Sequence, residues 1–456
     1  MVVVMMCGSF LTALNQNLMN TSLPTLMDVF DVSAGTVQWL ISAYTLANGV
    51  MIPVTAYLVN RFTTRQMYFV AMSLFTLGTI MCAAAPVFGL LLTGRVVQAL
   101  GAGISMTLMQ TVMFTVFPVD RRGTAMGFFG LVISFAPAIG PTLAGVIVDS
   151  FPWQMLFIIQ LPVVIILMAL AAFLVRNVTG GKSGSLDSFS VVLSTIGFGG
   201  LLYGFSSASS LGFTSLGVII PIIVGAIGIA CFVLRQLHLE VPILEFRVFA
   251  KRGFTSALLL SVGGWALFMG TAVMLPLFMQ EMNGFSATQS GLTMMAGGFA
   301  MGILSPITGN IFDRYGPRFI VPVGFVLMCG AQASFAFIGG EATMLYLAIG
   351  YLVFLVGLTM CNMPLTTSAI NTLPKELVAH GSAMNNTMRM AAAAMAVAIC
   401  VTTVSLLAGP SATGPAQIPA VQTVFAALSV CAGIMCIASL VIFRNTQGSK
   451  AKMQEL

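Results

Sequence analysis

The chain has 456 residues, of which 58% are hydrophobic and only 7% are charged, and its mean hydropathy is +1.02. Because a soluble globular domain carries about 25% charged residues, this composition excludes a soluble protein. The net charge of +6 does not indicate a nucleic-acid partner, since the basic residues are scattered through short connecting segments instead of forming one stripe. The composition predicts an integral membrane protein.

Apolar windows follow one another along the chain in three groups: six, then two, then six again. They are residues 1–24, 38–59, 67–86, 89–117, 124–148, 153–175, 189–209, 214–234, 254–280, 289–312, 319–338, 343–370, 381–407 and 421–443. Each has the roughly 20 residues that a membrane-spanning helix requires. A β-barrel would instead show alternating segments of about ten residues. The sequence therefore predicts an all-α integral membrane protein with fourteen transmembrane helices.

The same windows predict the domain organisation. Residues 1–175 form a first bundle of six helices, and residues 254–443 form a second bundle of six. Between them, residues 176–253 hold two extra central helices with cytoplasmic linkers on either side. Residues 444–456 are a cytoplasmic tail.

Lysine and arginine residues predict the orientation of the chain. Sixteen of the eighteen lie in alternate connectors or in the tail, and the two exceptions, Arg95 and Arg389, lie within predicted helices. Connectors rich in Lys and Arg remain in the cytoplasm. Both termini are therefore predicted to be cytoplasmic, in a multi-pass protein of the plasma membrane.

A ten-residue segment occurs twice. AYLVNRFTTR (56–65) follows the second window, and GNIFDRYGPR (309–318) follows the tenth. The two copies occupy the same place in each six-helix group, which is typical of transporters built from two parallel repeats with a substrate site near the membrane midplane. The alignment pairs Asn60 with Asp313, Arg61 with Arg314, and Arg65 with Arg318.

Further motifs lie within the windows. LLTGRVVQALGAG (91–103) contains Arg95 and Gln98, APAIGPTLAG (136–145) contains Pro137, Gly140, Pro141 and Gly145, and LPLFMQ (275–280) ends the ninth window. Together with the repeated loop, these segments resemble the major facilitator superfamily, in particular its fourteen-helix drug:proton antiporter branch, and within it the lincomycin-resistance type of multidrug exporter. The resemblance implies export of small amphipathic substrates from a cavity between two six-helix bundles, with protons as the counter-ion.

The first window departs from that branch. LNQNLMNTSLP (14–24) has Asn15 and Gln16 where the branch has an acidic residue, and no Asp or Glu lies deep in any window. Proton coupling usually needs a titratable group in the permeation path. The remaining candidate for a proton carrier is Glu281, which follows Gln280 at the outer end of the ninth window; the alternative is an exposed loop acid.

Polar residues within the helices are the candidates for the cavity. An Arg inside a membrane helix costs about 2.5 to 3.5 kcal/mol, so Arg95 is expected to face a cavity or a partner, although backbone carbonyls would also satisfy it. Arg389 lies nearer the inner end of its helix, where it either faces the cavity or extends toward the cytoplasm. Asn15, Gln16 and Asn20 either line the cavity or join helices through hydrogen bonds.

The loop copies and the Gly140-Pro141 pair are interpreted as conformational elements. The pair is expected to form a hinge or a close helix contact, the alternative being a tolerated kink. The loop residues are expected to latch helices together, the alternative being that they serve only as positive charges on the inner side. Asn60 cannot form a salt bridge, so the first latch should be weaker than the second, which has Asp313.

The sequence contains no nucleotide-binding P-loop and no zinc, haem or dinucleotide pattern, so no ATP, cofactor or metal is expected, nor is an enzyme. His238 and His380 are both placed in loops. Two alternatives to multidrug export remain. One is export of a single physiological metabolite or lipid without classical proton coupling, and the other is a non-transporting membrane sensor or enzyme on the same fold.

Overall fold

The computed structural model describes residues 1–178, 187–212, 215–239, 242, 244–409 and 414–444. These ranges contain fourteen helices of 15 residues or more and no β-strand. The helices are α1 (Val2–Phe30), α2 (Trp39–Arg61), α3 (Thr64–Ala83), α4 (Phe88–Val116), α5 (Arg122–Ser150), α6 (Gln160–Leu174), α7 (Ser188–Leu211), α8 (Leu216–His238), α9 (Arg252–Leu277), α10 (Ala287–Tyr315), α11 (Pro317–Phe335), α12 (Met344–Asn371), α13 (Val378–Ala408) and α14 (Ile418–Phe443).

The apolar character of these helices agrees with a membrane location. Within the described residues, eleven helices are long and apolar enough to cross a membrane, and α2 and α7 contain shorter apolar stretches. The all-helical fold is thereby confirmed, whereas a total of fourteen membrane crossings stays a prediction.

The two loop copies end their helices by different means. After α2, the side chain of Thr63 caps α3 by accepting a hydrogen bond from the backbone N–H of Gln66, whose side chain in turn accepts from the Thr63 N–H. After α10, the chain turns at Gly316, whose φ of 74° is readily accessible to glycine, and α11 then starts with Pro317. The same connection is thus made by a polar cap in one half and by a Gly-Pro turn in the other.

The helix packing repeats with a shift of eight helices. In the first group α3 packs against α4, α2 against α4, and α1 against α5. In the last group α11 packs against α12, α10 against α12, and α9 against α13. Two bundles of the same design therefore lie side by side.

The bundles meet along two seams. On one seam α5 packs against α10, where glycines bring the helices together: a Cβ added at Gly309 would overlap the carbonyl group of Gly123. On the other seam α2 packs against α13, and the α7–α8 hairpin lies over this seam with α7 touching both helices. Below, the end of the bundles that carries the loop copies, residues 62–63 and 316, is called the motif end, and the opposite end the distal end.

An ion pair joins the two helices of the hairpin at the motif end. Arg235 Nε lies 2.6 Å from Asp187 Oδ2. The hydrogen bond from Arg235 lowers the pKa of the Asp187 carboxyl to about 2. Asp187 therefore remains ionised and paired throughout the physiological pH range.

The orientation of the motif end can be tested by labelling. We expect cysteines introduced at positions 251 and 314 to react only from the cytoplasm, and cysteines at positions 31, 212 and 341 only from outside, because Lys and Arg are concentrated at the motif end. A membrane-impermeant maleimide applied to intact cells, in a background without the native cysteines, measures this. Labelling of positions 212 and 251 from the same side would contradict the fourteen-helix topology.

Candidate functional site

Arg95 is the centre of a buried polar network in the first bundle. Its side chain is fully buried, and its Nη1 donates hydrogen bonds to Asn15 Oδ1 at 2.5 Å and to Gln98 Oε1 at 3.0 Å. Its Nε approaches the carbonyl oxygen of Leu40 at 3.5 Å. The sequence candidates Asn15, Arg95 and Gln98 are therefore brought together by α1 and α4.

The network continues to two further helices. Asn15 Nδ2 donates to Gln160 Oε1 at 3.1 Å, and Gln98 Nε2 donates to Thr79 Oγ1 at 2.8 Å. Gln160 in turn donates to a backbone carbonyl in its own chain segment at 2.6 Å. Each amide is thus held in one orientation by partners on both sides, which fixes the position of the Arg95 guanidinium.

The charge of Arg95 is compensated by neutral groups. Its Cζ atom lies 4.2 Å from the ring centroid of Tyr44, and all of its hydrogen-bond acceptors in the described structure are amide or peptide oxygens. Its Nη2 atom is buried without a hydrogen-bond partner. The site therefore holds a cation with one unused donor group.

Arg389 is a second buried cation, in the second bundle. Its side chain is 7% exposed, and its Cζ lies 4.0 Å from the ring centroid of Trp265 on α9. In this conformation Arg389 does not extend into the aqueous phase. Neither Trp265 nor Tyr44 was singled out from the sequence, although an aromatic ring is a common partner for a desolvated guanidinium.

Asp313 joins the two bundles at the motif end. Its Oδ1 accepts a hydrogen bond from the backbone N–H of Gly123 at 2.7 Å, and its Oδ2 accepts from the backbone N–H of Thr124 at 2.6 Å and from the Thr124 hydroxyl at 2.7 Å. A carboxylate is stabilised there because the first N–H groups of α5 have no partners within the helix and carry partial positive charge. Asp313 thus contacts a helix start, and its partners are backbone N–H groups and a hydroxyl of the first bundle.

Two further polar contacts cross between the bundles. Arg122 Nη1 donates to Asn371 Oδ1 at 2.8 Å where α5 begins and α12 ends. Deeper in the bundles, Gln110 and Asn386 exchange hydrogen bonds through their amides, at 2.9 and 3.4 Å. In the part of the chain that the structure describes, the hydrogen bonds between the bundles all lie on the motif-end side.

The burial of side chains along α13 decreases toward the distal end. Residues 378–389 are buried apart from Met388, whereas residues 390–397 are all at least partly exposed. The hydrogen bonds between the bundles and the burial of α13 are therefore concentrated toward the motif end, and the side chains of α13 are more exposed beyond Arg389.

A cleft of about 1200 Å³ lies between the start of α1, the α5 helix and the end of α10. Its walls are apolar, with aromatic side chains such as Phe10, Phe128 and Phe135, and Asp120, Arg121 and Arg314 lie at its motif end. Phe128 is 51% exposed, so the cleft opens on the outer surface of the bundles. An apolar slot with charged groups at one end fits molecules that have both characters.

The segment APAIGPTLAG (136–145) causes no break in α5. The helix is continuous from Arg122 to Ser150 through Pro137, which is exposed, and through Pro141. Gly140 lies against α1, since a Cβ there would come within 2.8 Å of Asn17 Cβ, whereas Gly145 has open space beside it. The motif serves as a close helix contact at Gly140 in this conformation.

Other sequence candidates lie outside the network. Gln16 is only partly buried, and Gln280 and Glu281 are exposed in a π-helical turn that extends α9 at the distal end. The side chains of Asn20, Asn60 and Pro141 lie outside the described part of the structure.

The arginines of the loop copies remain at the motif end. Arg61 donates to the Tyr57 hydroxyl at 2.7 Å, and Arg65 donates to the carbonyl of Ala172 at 2.7 Å. Arg314 lines the cleft, and the Arg318 guanidinium lies 5.6 Å from the ring of Phe319.

The placement of His380 in a loop is wrong. Helix α13 begins at Val378, three residues before the predicted window, so His380 lies in its first turn and is buried. Its Nδ1 accepts a hydrogen bond from the backbone N–H of Glu245 at 3.3 Å. The predicted window 381–407 begins one residue after His380, because a polar histidine at the edge of an apolar window is interpreted as part of the connecting segment.

Two repeated helical bundles with buried polar groups between them define a multi-pass membrane transporter. Residues 5–397 match the profile of the Major Facilitator Superfamily. The chain is 44% identical over 440 residues to the uncharacterized MFS-type transporter YcnB of Bacillus subtilis (strain 168), across 96% of this chain and 93% of that protein. It is 36% identical over 443 residues to the lincomycin resistance protein LmrB of Listeria monocytogenes, across 94% of each. The chain therefore belongs to the Major Facilitator Superfamily.

A solved structure supports the same fold. The human organic anion transporter MFSD10 (TETRAN) superposes with a TM-score of 0.71 and 14% sequence identity, across 96% of this chain and 98% of that one. At this identity the likeness concerns the fold alone. With its family and its apolar helices, the chain is a multi-pass protein of the cell membrane.

Proposed function

We propose that the chain is a secondary active multidrug exporter that moves amphipathic compounds by alternating access of its two bundles. The observation that carries this proposal is the set of hydrogen bonds between the two bundles, which close one end: Gly123 donates to Asp313, Arg122 donates to Asn371, and Asn386 donates to Gln110. A transporter must break such contacts in every cycle, and a few hydrogen bonds with glycine packing are weak enough to allow it.

The proposal extends to orientation. The motif end is cytoplasmic, and the fourteen helices each cross the membrane. The closed motif end then corresponds to the state that is open toward the outside. Compounds leave from this state, and binding from the inside requires the motif end to separate.

The amphipathic cleft supports the proposed substrate class. Its apolar wall lies at the surface of the bundles, and its charged end lies where Arg121 and Arg314 would meet lipid headgroups. Compounds that partition into the inner leaflet also have an apolar part and a polar part, which match the apolar wall and the charged end of the cleft. The similarity to a lincomycin resistance protein makes lincomycin a suitable first test compound.

Proton exchange is the expected driving reaction, with Glu281 as the available acid near the distal end of α9. One observation favours a second candidate, export of a single metabolite without classical proton coupling. None of the described Asp or Glu side chains is buried among the membrane helices, whereas Arg95 and Arg389 are. The two candidates differ in whether substrate movement carries protons.

Transport by the purified protein in proteoliposomes tests the proposal. We expect lincomycin, ethidium and an anionic dye to be moved faster than in protein-free liposomes, with a pH change inside the vesicles that depends on substrate. In a cysteine-free background, Gln110→Cys with Asn386→Cys, joined by a short bis-methanethiosulfonate reagent, should stop transport, because the motif end cannot open. Reduction of the cross-link should restore it.

The outcomes separate the candidates. Movement of one compound class without a pH change supports the single-metabolite exporter. Unchanged transport by the cross-linked protein contradicts alternating access, and no transport of any compound by the well-folded protein contradicts export altogether.

A further inference from the structure

Arg389 differs from the other buried cations in its surroundings. Among the described residues, the buried arginines are Arg95, Arg122 and Arg389, and no acidic side chain is buried with them. Arg95 and Arg122 each donate hydrogen bonds to side-chain amides and to backbone carbonyl groups. The guanidinium of Arg389 makes no hydrogen bond or ion pair with the described residues, and it contacts the ring of Trp265.

The contact with Trp265 leaves the donors of Arg389 available. Cζ of Arg389 lies over the Trp265 ring, 4.0 Å from its centroid, and the guanidinium N–H donors have no hydrogen-bond acceptor among the described residues. A cation–π contact lowers the cost of burying the charge but satisfies none of these donors. A buried cation of this kind is costly unless an anion or hydrogen-bond acceptors reach it.

The position of Arg389 on α13 places it toward the other bundle. Ser382, Asn386 and Arg389 recur at spacings of three and four residues and so share one helix face. On this face Asn386 reaches Gln110 of the first bundle. Arg389 therefore lies one turn beyond the last cross-bundle hydrogen bond, where the partly exposed stretch 390–397 begins.

Helix α9 adds a hydroxyl group and an apolar wall. Ser261 precedes Trp265 by one helical turn on the same face, and its buried Oγ has no hydrogen-bond partner. Phe268 packs against Trp265 with ring centroids 4.9 Å apart. A cation with free donors thus lies over the first of two packed aromatic rings, one helical turn from an unused hydroxyl, where the exposed stretch of α13 begins.

We propose that Arg389, Trp265 and Ser261 form a subsite for the acidic group of the transported compounds, so that the preferred substrates are amphipathic anions with an aromatic or aliphatic body and one carboxylate or sulfonate. The inference rests on the proposed function and adds the substrate class. A carboxylate or sulfonate at the free edge of Arg389 accepts hydrogen bonds from two N–H groups at once. Both bonds are strong because they are charge-assisted. The apolar body packs against the rings of Trp265 and Phe268.

Binding of two matched dyes to the protein in lipid nanodiscs tests this. 1-Anilinonaphthalene-8-sulfonate is an anion, and N-phenyl-1-naphthylamine has the same aromatic body without the sulfonate. Arg389→Gln should weaken binding of the sulfonate by about tenfold or more, as expected for loss of a charged hydrogen-bonding partner, and should change binding of the neutral dye by less than about twofold. Arg389→Lys, which keeps the charge but loses the two-pronged geometry, should fall between wild type and Arg389→Gln.

The control is Arg252→Gln, which removes the same charge at an exposed position at the start of α9 and should leave both affinities unchanged. Thermal melting checks that the variants are folded, and Arg389→Lys with Trp265→Phe provides the comparison if Arg389→Gln does not fold. Equal loss of both dyes, or sulfonate binding that Arg389 variants do not change, would overturn the anion subsite. Because this is a binding measurement, it stands even if no compound is exported, which is the outcome that would reject the proposed function.

Discussion

Asp313→Asn is expected to reduce transport by about tenfold, whereas Asn60→Ala should change it by less than about twofold. The carboxylate of Asp313 accepts three hydrogen bonds from the first residues of α5. Hydrogen bonds to a charged group contribute about 1.5 to 3 kcal/mol each. An amide has only one acceptor oxygen, and its NH₂ group would face the N–H donors at the start of α5. The substitution therefore strongly destabilises the closed motif end. Transport assayed in proteoliposomes at matched expression measures the loss.

A smaller change separates the effect of charge from that of hydrogen bonding. Thr124→Val removes the hydroxyl donor but leaves both backbone N–H groups, so its effect should be intermediate. A single cysteine at position 107 should also react faster with maleimide from the motif end in the Asp313→Asn variant. Equal effects of Asp313→Asn and Asn60→Ala, or unchanged cysteine reactivity, would exclude the latch.

Asn15→Asp is expected to make transport depend more steeply on pH, up to about tenfold per pH unit, the limit for one titrating proton. Asn15 already accepts a hydrogen bond from Arg95, so an aspartate at this position would form an ion pair with it. Protonation of the aspartate would break that pair and change the state of the network. In the wild-type network the side-chain partners of Arg95 are neutral amides, so the wild-type transport rate should change little with pH unless Glu281 carries the protons.

The double variant Asn15→Asp with Arg95→Gln should lose the added pH dependence, because the cation that responds to the new acid is absent. Gln16→Glu provides a position-matched control, since Gln16 lies one residue away and only partly buried, outside the hydrogen-bond network. The measurement is the initial transport rate in vesicles over a pH series. Steep pH dependence already in wild type, unaffected by Glu281→Gln, would show that another group carries the proton.

The sequence predicted those features of the fold and the site that depend on a physical requirement acting on each residue separately. Lipid excludes polar groups, so apolar windows predict helices, and the cost of a buried charge directs attention to Arg95 and Arg389. The repeated loop predicts a repeated architecture, and the helices indeed pack in the same pairs in both bundles.

The partners of these residues depend on how distant helices meet, which no local pattern specifies. Gln160 reaches Asn15 across 145 positions, and Asn386 reaches Gln110 across 276. The second latch was predicted from the charge of Asp313, but its partners are backbone N–H groups at the start of α5, about 190 positions away in the sequence. Trp265 carries no distinguishing signal in the sequence, and it meets Arg389 only because α9 and α13 pack together.

The α7–α8 hairpin covers one of the two seams between the bundles, so the two sides of the molecule in the plane of the membrane differ. Its two helices pack closely through glycines, since Gly197 faces Gly228 and Gly200 faces Gly225. The hairpin is therefore expected to move as one rigid unit. It covers the seam between α2 and α13 and shields it from acyl chains, while the seam between α5 and α10 has no such cover in the described structure and adjoins the cleft. In the proposed alternating-access cycle, molecules dissolved in the bilayer would reach the transporter from the uncovered flank, and the hairpin would slide over at least one bundle each time the two bundles move relative to each other.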